Sequence, residues 1–322
     1  MTTAQSHLNH AQDHHPAIYD PSSDIIPVEQ NDIIRLQIFI PLATLTAIFS
    51  NLVSALLIKP SMSDINDLYY TLLTPNSTMI GCYWIVIFAC QVAMSFMVVF
   101  TSRQRYRTEN TKQTFVHAVG MPYVLGLFIF ALWPMFWAAE LFLGSTILLV
   151  VLLFITTYTL HSIWRHSPPS FISRPFSYIF IYLPVHLFQA VVFTVDLPQS
   201  LLITLKWYRS PIDHSWEPNH TTHTWIIFAI VLLLGLTNAY VIYRAKDFVR
   251  TVAVVYLTTS VLVKGSNSLG KVSEAPHVYS ALVAVAATCM VSFIASFVDL
   301  GPDRGRIVLL DEQERRQHVA PT

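Results

Sequence analysis

Polar side chains set inside long apolar runs are the residues with chemistry to offer. His186 and Gln189 are three residues apart, so they share a helix face, and Pro184 lies just before them. Gln91 and Ser95 are four apart and also share a face. Asn51, Ser54, Asn238 and Asp299 complete the set. In hydrocarbon such groups either bond one another to fix packing or line a ligand surface or polar path. The His186 group is the best placed for the second role. A proline frees backbone groups there, next to a titratable imidazole.

Other chemistry is sparse. His214, Glu217, His220 and His223 have spacing that could suit a metal, but a polar loop of this kind reads as solvated. His7, His10, His14 and His15 lie in a tail read the same way. The sequence has no HExxH, GxSxG, P-loop or dinucleotide fingerprint. The three cysteines, Cys82, Cys90 and Cys289, show no disulfide or metal spacing. The expectation is a protein that is not an enzyme, with no cofactor, no metal and no nucleic-acid partner.

The elements that would position these groups follow from composition. Of 322 residues, 53% are apolar and 12% charged. A soluble domain carries about 25% charged residues, so the solvent of this chain is largely lipid. About 20 apolar residues cross a bilayer as a helix. Such runs span 34–58, 80–100, 115–137, 141–163, 176–195, 225–243 and 278–300. A shorter run, 251–263, lies between Arg250 and Lys264 and needs snorkelling cations to span. The fold class is an all-α polytopic membrane helix bundle with eight transmembrane helices, seven being the alternative. Residues 1–33 read as a disordered cytosolic tail, 34–300 as the bundle and 301–322 as a second tail.

Charge sorting sets an orientation. Fourteen of the nineteen Lys and Arg fall on one side in the eight-helix reading. They include Arg103, Arg105, Arg107 and Lys112 in one loop and Arg244, Lys246 and Arg250 in another. The positive-inside rule then puts both termini in the cytosol of an endomembrane or plasma-membrane protein. The sequons at Asn76 and Asn219 fall on the other, lumenal side, Asn219 in the longest loop there, which marks the chain as a candidate glycoprotein. Six of the seven tryptophans lie toward that side too, all but Trp164.

Residues 34–197 resemble the tryptophan-rich sensory protein/translocator (TspO) family, in the same order. That family has five helices, with a ligand-covering loop after the first. Its loop runs Tyr, then Leu and Pro, before a Trp-led second helix. Here Tyr69-Tyr70-Thr71-Leu72-Leu73-Thr74-Pro75 precede Trp84-Ile85-Val86-Ile87-Phe88. Its third helix ends in Trp then Phe, and this one ends Trp133-Pro134-Met135-Phe136-Trp137. Its fifth carries Pro, Trp, Ala and Asn at four-residue steps, matched by Pro184, Phe188, Val192 and Asp196. The departures are the missing double proline before helix 2, Phe88 for Tyr, Phe188 for Trp, Val192 for Ala, Asp196 for Asn, and three further helices at 225–300. The alternative is a separate multi-pass family sharing the helix order.

The resemblance implies an aromatic-walled pocket for a flat apolar ligand such as a sterol, porphyrin or lipid. Trp84, Phe88, Trp133, Phe136, Trp137 and Phe188 would be its walls, and Gln91, His186 and Gln189 its polar anchors, with Pro184 and Asp196 alongside. Two other readings stay open. One is a small-solute transporter or transporter subunit, with His186, Asp196, Asn51 and Asn238 along a polar path. The other is a structural or assembly partner of another membrane protein.

Overall fold

The computed structural model describes residues 30–101, 114–166, 175–212, 215–267 and 275–298. The histidine-rich tail, His214 and Asp299 lie outside these residues. All regular structure among them is helical, and eight helices are long and apolar enough to cross a membrane. These are α1 (Gln30–Leu56), α3 (Ser77–Thr101), α4 (Gly120–Ala138), α5 (Phe142–His166), α6 (Pro175–Thr204), α7 (His220–Ala245), α8 (Phe248–Asn267) and α9 (Pro276–Val298). A short helix, α2 (Met62–Leu68), lies in the loop after α1.

Five helices close a ring in the order α1, α3, α6, α5, α4, each packed on the next and α4 on α1. A second layer leans on this ring through α8, which packs on α6. Then α9 packs on α8, and α7 on α9. Interhelical hydrogen bonds pin the ring, as expected where lipid supplies no hydrophobic drive between helices. Ser50 of α1 donates to the Ala131 carbonyl of α4. Ser95 of α3 donates to Thr44 Oγ1 of α1 (3.2 Å), and Tyr83 of α3 to the Leu187 carbonyl of α6 (2.9 Å). In the second layer Gly235 lets α7 approach α9 closely. A Cβ there would stand 2.2 Å from Val285 Cγ2.

Two helices differ from the sequence expectation. The run expected at 251–263 is a 20-residue helix, Phe248–Asn267. At about 1.5 Å per residue it reaches the ~30 Å of a bilayer core. Arg250 and Lys264 therefore belong to the helix and do not bound it. Each cation is accepted because it has partners: Arg250 bonds Asn238, and Lys264 pairs with Asp67. The fifth run, expected to end at 195, continues to Thr204. It does so through two π-helical turns, Tyr178–Tyr182 and Val192–Asp196, each followed at once by Leu-Pro (Leu183-Pro184 and Leu197-Pro198). Leu183 N–H bonds the Tyr178 carbonyl and Leu197 N–H the Val192 carbonyl, five residues back. The wider turn absorbs each proline's missing donor without ending the helix.

The division into a five-helix part and three further helices is not clean. Val249, Ala253 and Leu257 of α8 belong to the core of the ring. Leu72 and Leu73, from the loop after α1, belong to the core of the second layer.

Candidate functional site

The loop after α1 starts with a capping box. Ser61 Oγ accepts from Asp64 N–H, and the Asp64 carboxylate accepts from Ser61 N–H. The Ser61 hydroxyl, donating to the Asp64 carboxylate (2.7 Å), and then the Ser61 N–H hold that carboxyl below its usual range. The loop then turns inward. Tyr69 donates to Glu140 (2.8 Å) and packs edge-on against Phe142 and Tyr208. Desolvation and the Glu140 carboxylate push the Tyr69 phenol up to about 12. Arg209 N–H bonds the Tyr70 carbonyl, Gln199 bonds Asn66, and Asn76 N–H bonds the Ser260 carbonyl. The loop thus covers one end of the bundle and ties the ring to the second layer.

Beneath it, aromatic side chains fill the ring interior. Helices α3, α4 and α6 are not all neighbours around the ring, so ring contacts between them cross its inside. Trp84 of α3 stacks on Phe130 of α4 with centroids 4.8 Å apart. Phe188 of α6 meets Phe130 edge-on at 4.9 Å and Trp84 at 6.0 Å. Phe88 extends the stack on α3, and Trp133 and Trp137 extend it on α4. Through Phe142 it reaches Tyr69 of the loop. Phe130, which the sequence reading left out, is fully buried at its centre. A signal for it existed: Tyr123, Phe130 and Trp137 recur every seven residues, on one helix face. Phe136, expected in the wall, packs over Gly144 of α5 instead.

Polar atoms are set among these rings without protein partners. Both ends of the Gln91 amide are buried and unbonded, as are Trp133 Nε1, Trp137 Nε1, Ser145 Oγ and Gln189 Oε1. Gln91 lies seven residues after Trp84, on the same face of α3 and close to the Tyr123 hydroxyl. A buried donor or acceptor left unbonded costs about 1–3 kcal/mol, so such a set is costly unless something bonds it.

His186 does not join this interior. It faces the second layer, with Nε2 3.1 Å from Asp247 Oδ2. Asp247 is the hub of a seam network that the sequence reading missed. Only Lys246, in a left-handed conformation, and Asp247 separate α7 from α8. Asp247 Oδ1 caps α8 by accepting from Arg250 N–H (3.0 Å), and Oδ2 accepts from the Tyr182 hydroxyl (2.5 Å). The Arg250 side chain turns away and donates from Nε to Asn238 Oδ1 of α7 (2.8 Å). Asp247 and Arg250 are 4% and 6% exposed, and His186 is 2%. The available signal was Asp247 standing directly before an apolar run, the N-cap position.

The remaining candidates are dispersed. Pro184 follows the first π turn, and Asp196, at the end of the second, is buried with Oδ2 unbonded, within electrostatic range of Tyr83. Asn51 bonds back to the Ala47 carbonyl of its own helix (2.9 Å). Asn76 caps α3 through Oδ1, accepting from Thr78 and Met79 N–H (3.1 Å each), whereas Asn219 is exposed at the start of α7. Among the described residues no group of His, Cys, Asp and Glu is arranged to hold a metal ion. His220 and His223 stack on Trp216 and Trp207.

Among known families, the one described as TSPO-like protein matches residues 37–297. That match runs through the ring and on across the second layer. No curated protein and no solved structure matches the chain.

Proposed function

The chain belongs to the TSPO-like protein family and is an integral membrane protein; from that premise we propose that it binds a flat apolar ligand, a sterol, porphyrin or lipid, inside the helix ring. The observation that carries this reading is the set of buried, unbonded polar atoms framed by aromatic rings: Gln91, Trp133 and Trp137 around Trp84, Phe130 and Phe188. Aromatic faces cover a flat ligand, and a few polar groups fix its orientation. The ligand enters by parting the Trp84–Phe130 stack, and the Tyr69–Glu140 contact holds the loop over it. The protein is a binder in this reading and carries out no catalysis.

Both termini face the cytosol of an endomembrane or plasma-membrane protein, and Asn219 carries the glycan in preference to Asn76. Arg250 and Lys264 lie inside α8, yet taking one cation from each side keeps the charge asymmetry. Loss of a glycosidase-sensitive shift in Asn219→Gln checks the orientation.

Photo-crosslinking with sterol and porphyrin probes tests the binding. Labelling falls sharply in Trp133→Ala/Trp137→Ala if the interior is the site, and unchanged labelling refutes it. A second reading, a small-solute transporter, draws on the buried His186–Asp247–Arg250 set, because ionisable groups at membrane depth often line ion or solute paths. Solute flux in vesicles that is lost in His186→Gln would favour it over simple binding. The reading as an assembly partner calls for constant co-purification of another membrane protein.

A further inference from the structure

We propose that the second layer latches the covering loop, so that residues 70–76 leave their seat only when α8 and α9 give way. The loop has two halves with different anchors. The first half sits on the ring. Ile65 of α2 is buried in the ring core, Tyr69 donates to Glu140, and Gln199 of α6 donates to Asn66. The second half sits on the second layer. Leu72 and Leu73 belong to its core, together with Val261 of α8 and Leu282 of α9. Arg209 N–H, from the connection after α6, bonds the Tyr70 carbonyl where the two halves meet (2.8 Å).

One face of α8 follows the loop along its length. Tyr256, Ser260 and Lys264 are four residues apart and so lie one above the other. Tyr256 donates to the Met79 carbonyl in the first turn of α3 (2.9 Å). The Ser260 carbonyl accepts from Asn76 N–H (2.9 Å), and Lys264 pairs with Asp67 at the end of α2. Helix α9 adds Tyr279, whose hydroxyl lies 3.5 Å from the Tyr70 hydroxyl. Gly265 of α8 makes room for that ring. A Cβ there would stand 2.3 Å from Tyr279 Cε1, so a glycine on α8 sets where Tyr279 meets the loop.

The seated segment is tied to itself. Thr71 N–H bonds Thr74 Oγ1 (2.9 Å), Thr74 N–H bonds the Thr71 carbonyl (3.2 Å), and Leu73 N–H bonds Thr71 Oγ1 (3.3 Å). Tyr70, Thr71, Leu72, Leu73 and Thr74 are all buried. A buried loop needs such internal partners for its backbone, and they let this segment move as one piece. The Tyr69–Glu140 contact is exposed, so breaking it leaves residues 70–76 seated. Displacing α8 instead takes the partners of Asp67 and Asn76 away together. As a gate to the ring interior the device rests on the binding site proposed above; as a latch it does not.

Hydrogen–deuterium exchange of the full-length protein in phosphatidylcholine nanodiscs tests it at residues 70–76. Lys264→Gln/Gly265→Ala should speed exchange there at least tenfold, with the middle of α7 and α9 exchanging as in wild type. Tyr69→Phe should stay within twofold of wild type. If the double variant fails to fold, a water-soluble carbodiimide carries the test on the unaltered chain, because Asp67 is 56% exposed. The reagent joins the Asp67 carboxylate to the Lys264 amine as an amide and takes up the released water as its urea. That tether should slow exchange at 70–76 at least threefold, and treated Lys264→Gln should show no slowing. Wild-type exchange in the folded double variant, no slowing by the tether, or equal acceleration by Tyr69→Phe would overturn the latch. Porphyrin-probe labelling of Trp84 and Phe130 should quicken in the double variant and slow in the tethered protein. If exchange responds in this way and no protein is labelled in the interior, the latch stands and the interior site falls.

Discussion

The ring interior and the seam between α6 and α8 bury polar groups differently: the seam is organised around one shared carboxylate, and the interior has none. Inside the ring, Gln91, Trp133 and Trp137 present amide and indole groups that nothing in the protein bonds, surrounded by stacked aromatic rings. At the seam, Tyr182 and Arg250 N–H share the Asp247 carboxylate and the Arg250 side chain bonds Asn238, while His186 faces Asp247 at 3.1 Å with neither ring nitrogen hydrogen-bonded. Burying a charge is tolerable only when it is paired and hydrogen-bonded. The seam meets that condition for Asp247 and so joins two helical layers. The interior leaves polar groups unbonded at a cost that a bound ligand could offset. Polar groups gathered on a carboxylate and polar groups left unbonded among rings thus part company in the fold, where the sequence alone shows one class of intramembrane polar residue.

Substitutions can break this contrast. The largest effect is expected for Asp247→Ala. It removes the α8 cap and leaves Arg250 buried without its nearest negative charge, a loss of about 3–5 kcal/mol. A fall of many degrees in the thermal midpoint of the solubilised protein checks it, and a midpoint near wild type would mean that the seam is not structural. Phe130→Ala removes the centre of the aromatic stack, at a cost of about 3 kcal/mol or more. Sterol or porphyrin should restore part of that midpoint if the interior receives them.

Gln91→Leu sharpens the contrast through its sign. Without ligand it should be neutral or slightly stabilising, by up to about 1 kcal/mol, because it deletes an unsatisfied group. Probe labelling should nevertheless drop. A clear destabilisation would show that Gln91 has a structural bond after all.

The smallest effect concerns the loop. Desolvation and the bond to Glu140 push the Tyr69 phenol from its ordinary 10.0 up to about 12. A raised value in the folded state means the contact stabilises fully below pH 10 and is lost as pH rises through 12. Tyr69→Phe should remove that alkaline transition from the ultraviolet titration and lower the midpoint at neutral pH only slightly, because the contact is exposed.

Much of the architecture was legible in the sequence, and the reasons for the misses are specific. Hydropathy gives α8 only 13 residues because Arg250 and Lys264 interrupt its apolar run. Their partners Asn238 and Asp67 lie 12 and 197 residues away in sequence. The extension of α6 past Asp196 depended on a π turn that hydropathy does not register. Sequence adjacency places Phe136 with Trp133 and Trp137. A helix turns about 100° per residue, and that rotation carries Phe136 round to Gly144. The aromatic face of α3, Trp84 and Phe88 with Gln91, was readable because four- and seven-residue spacing keeps residues in register. Nothing local linked His186 to Asp247, since that contact crosses from the ring to the second layer.

The sequence by itself determined the solvent, the helical class and seven of the spans, and the length of α8 decided the eighth. Hydrocarbon leaves no partner for an unpaired backbone, so each long apolar run must be a helix. Only the tertiary structure decided which polar groups meet. Lipid gives every apolar face the same welcome, so the order of helices around the ring rests on steric fit and long-range hydrogen bonds. Those contacts made His186 part of a seam and left the Gln91 amide unbonded among aromatic rings.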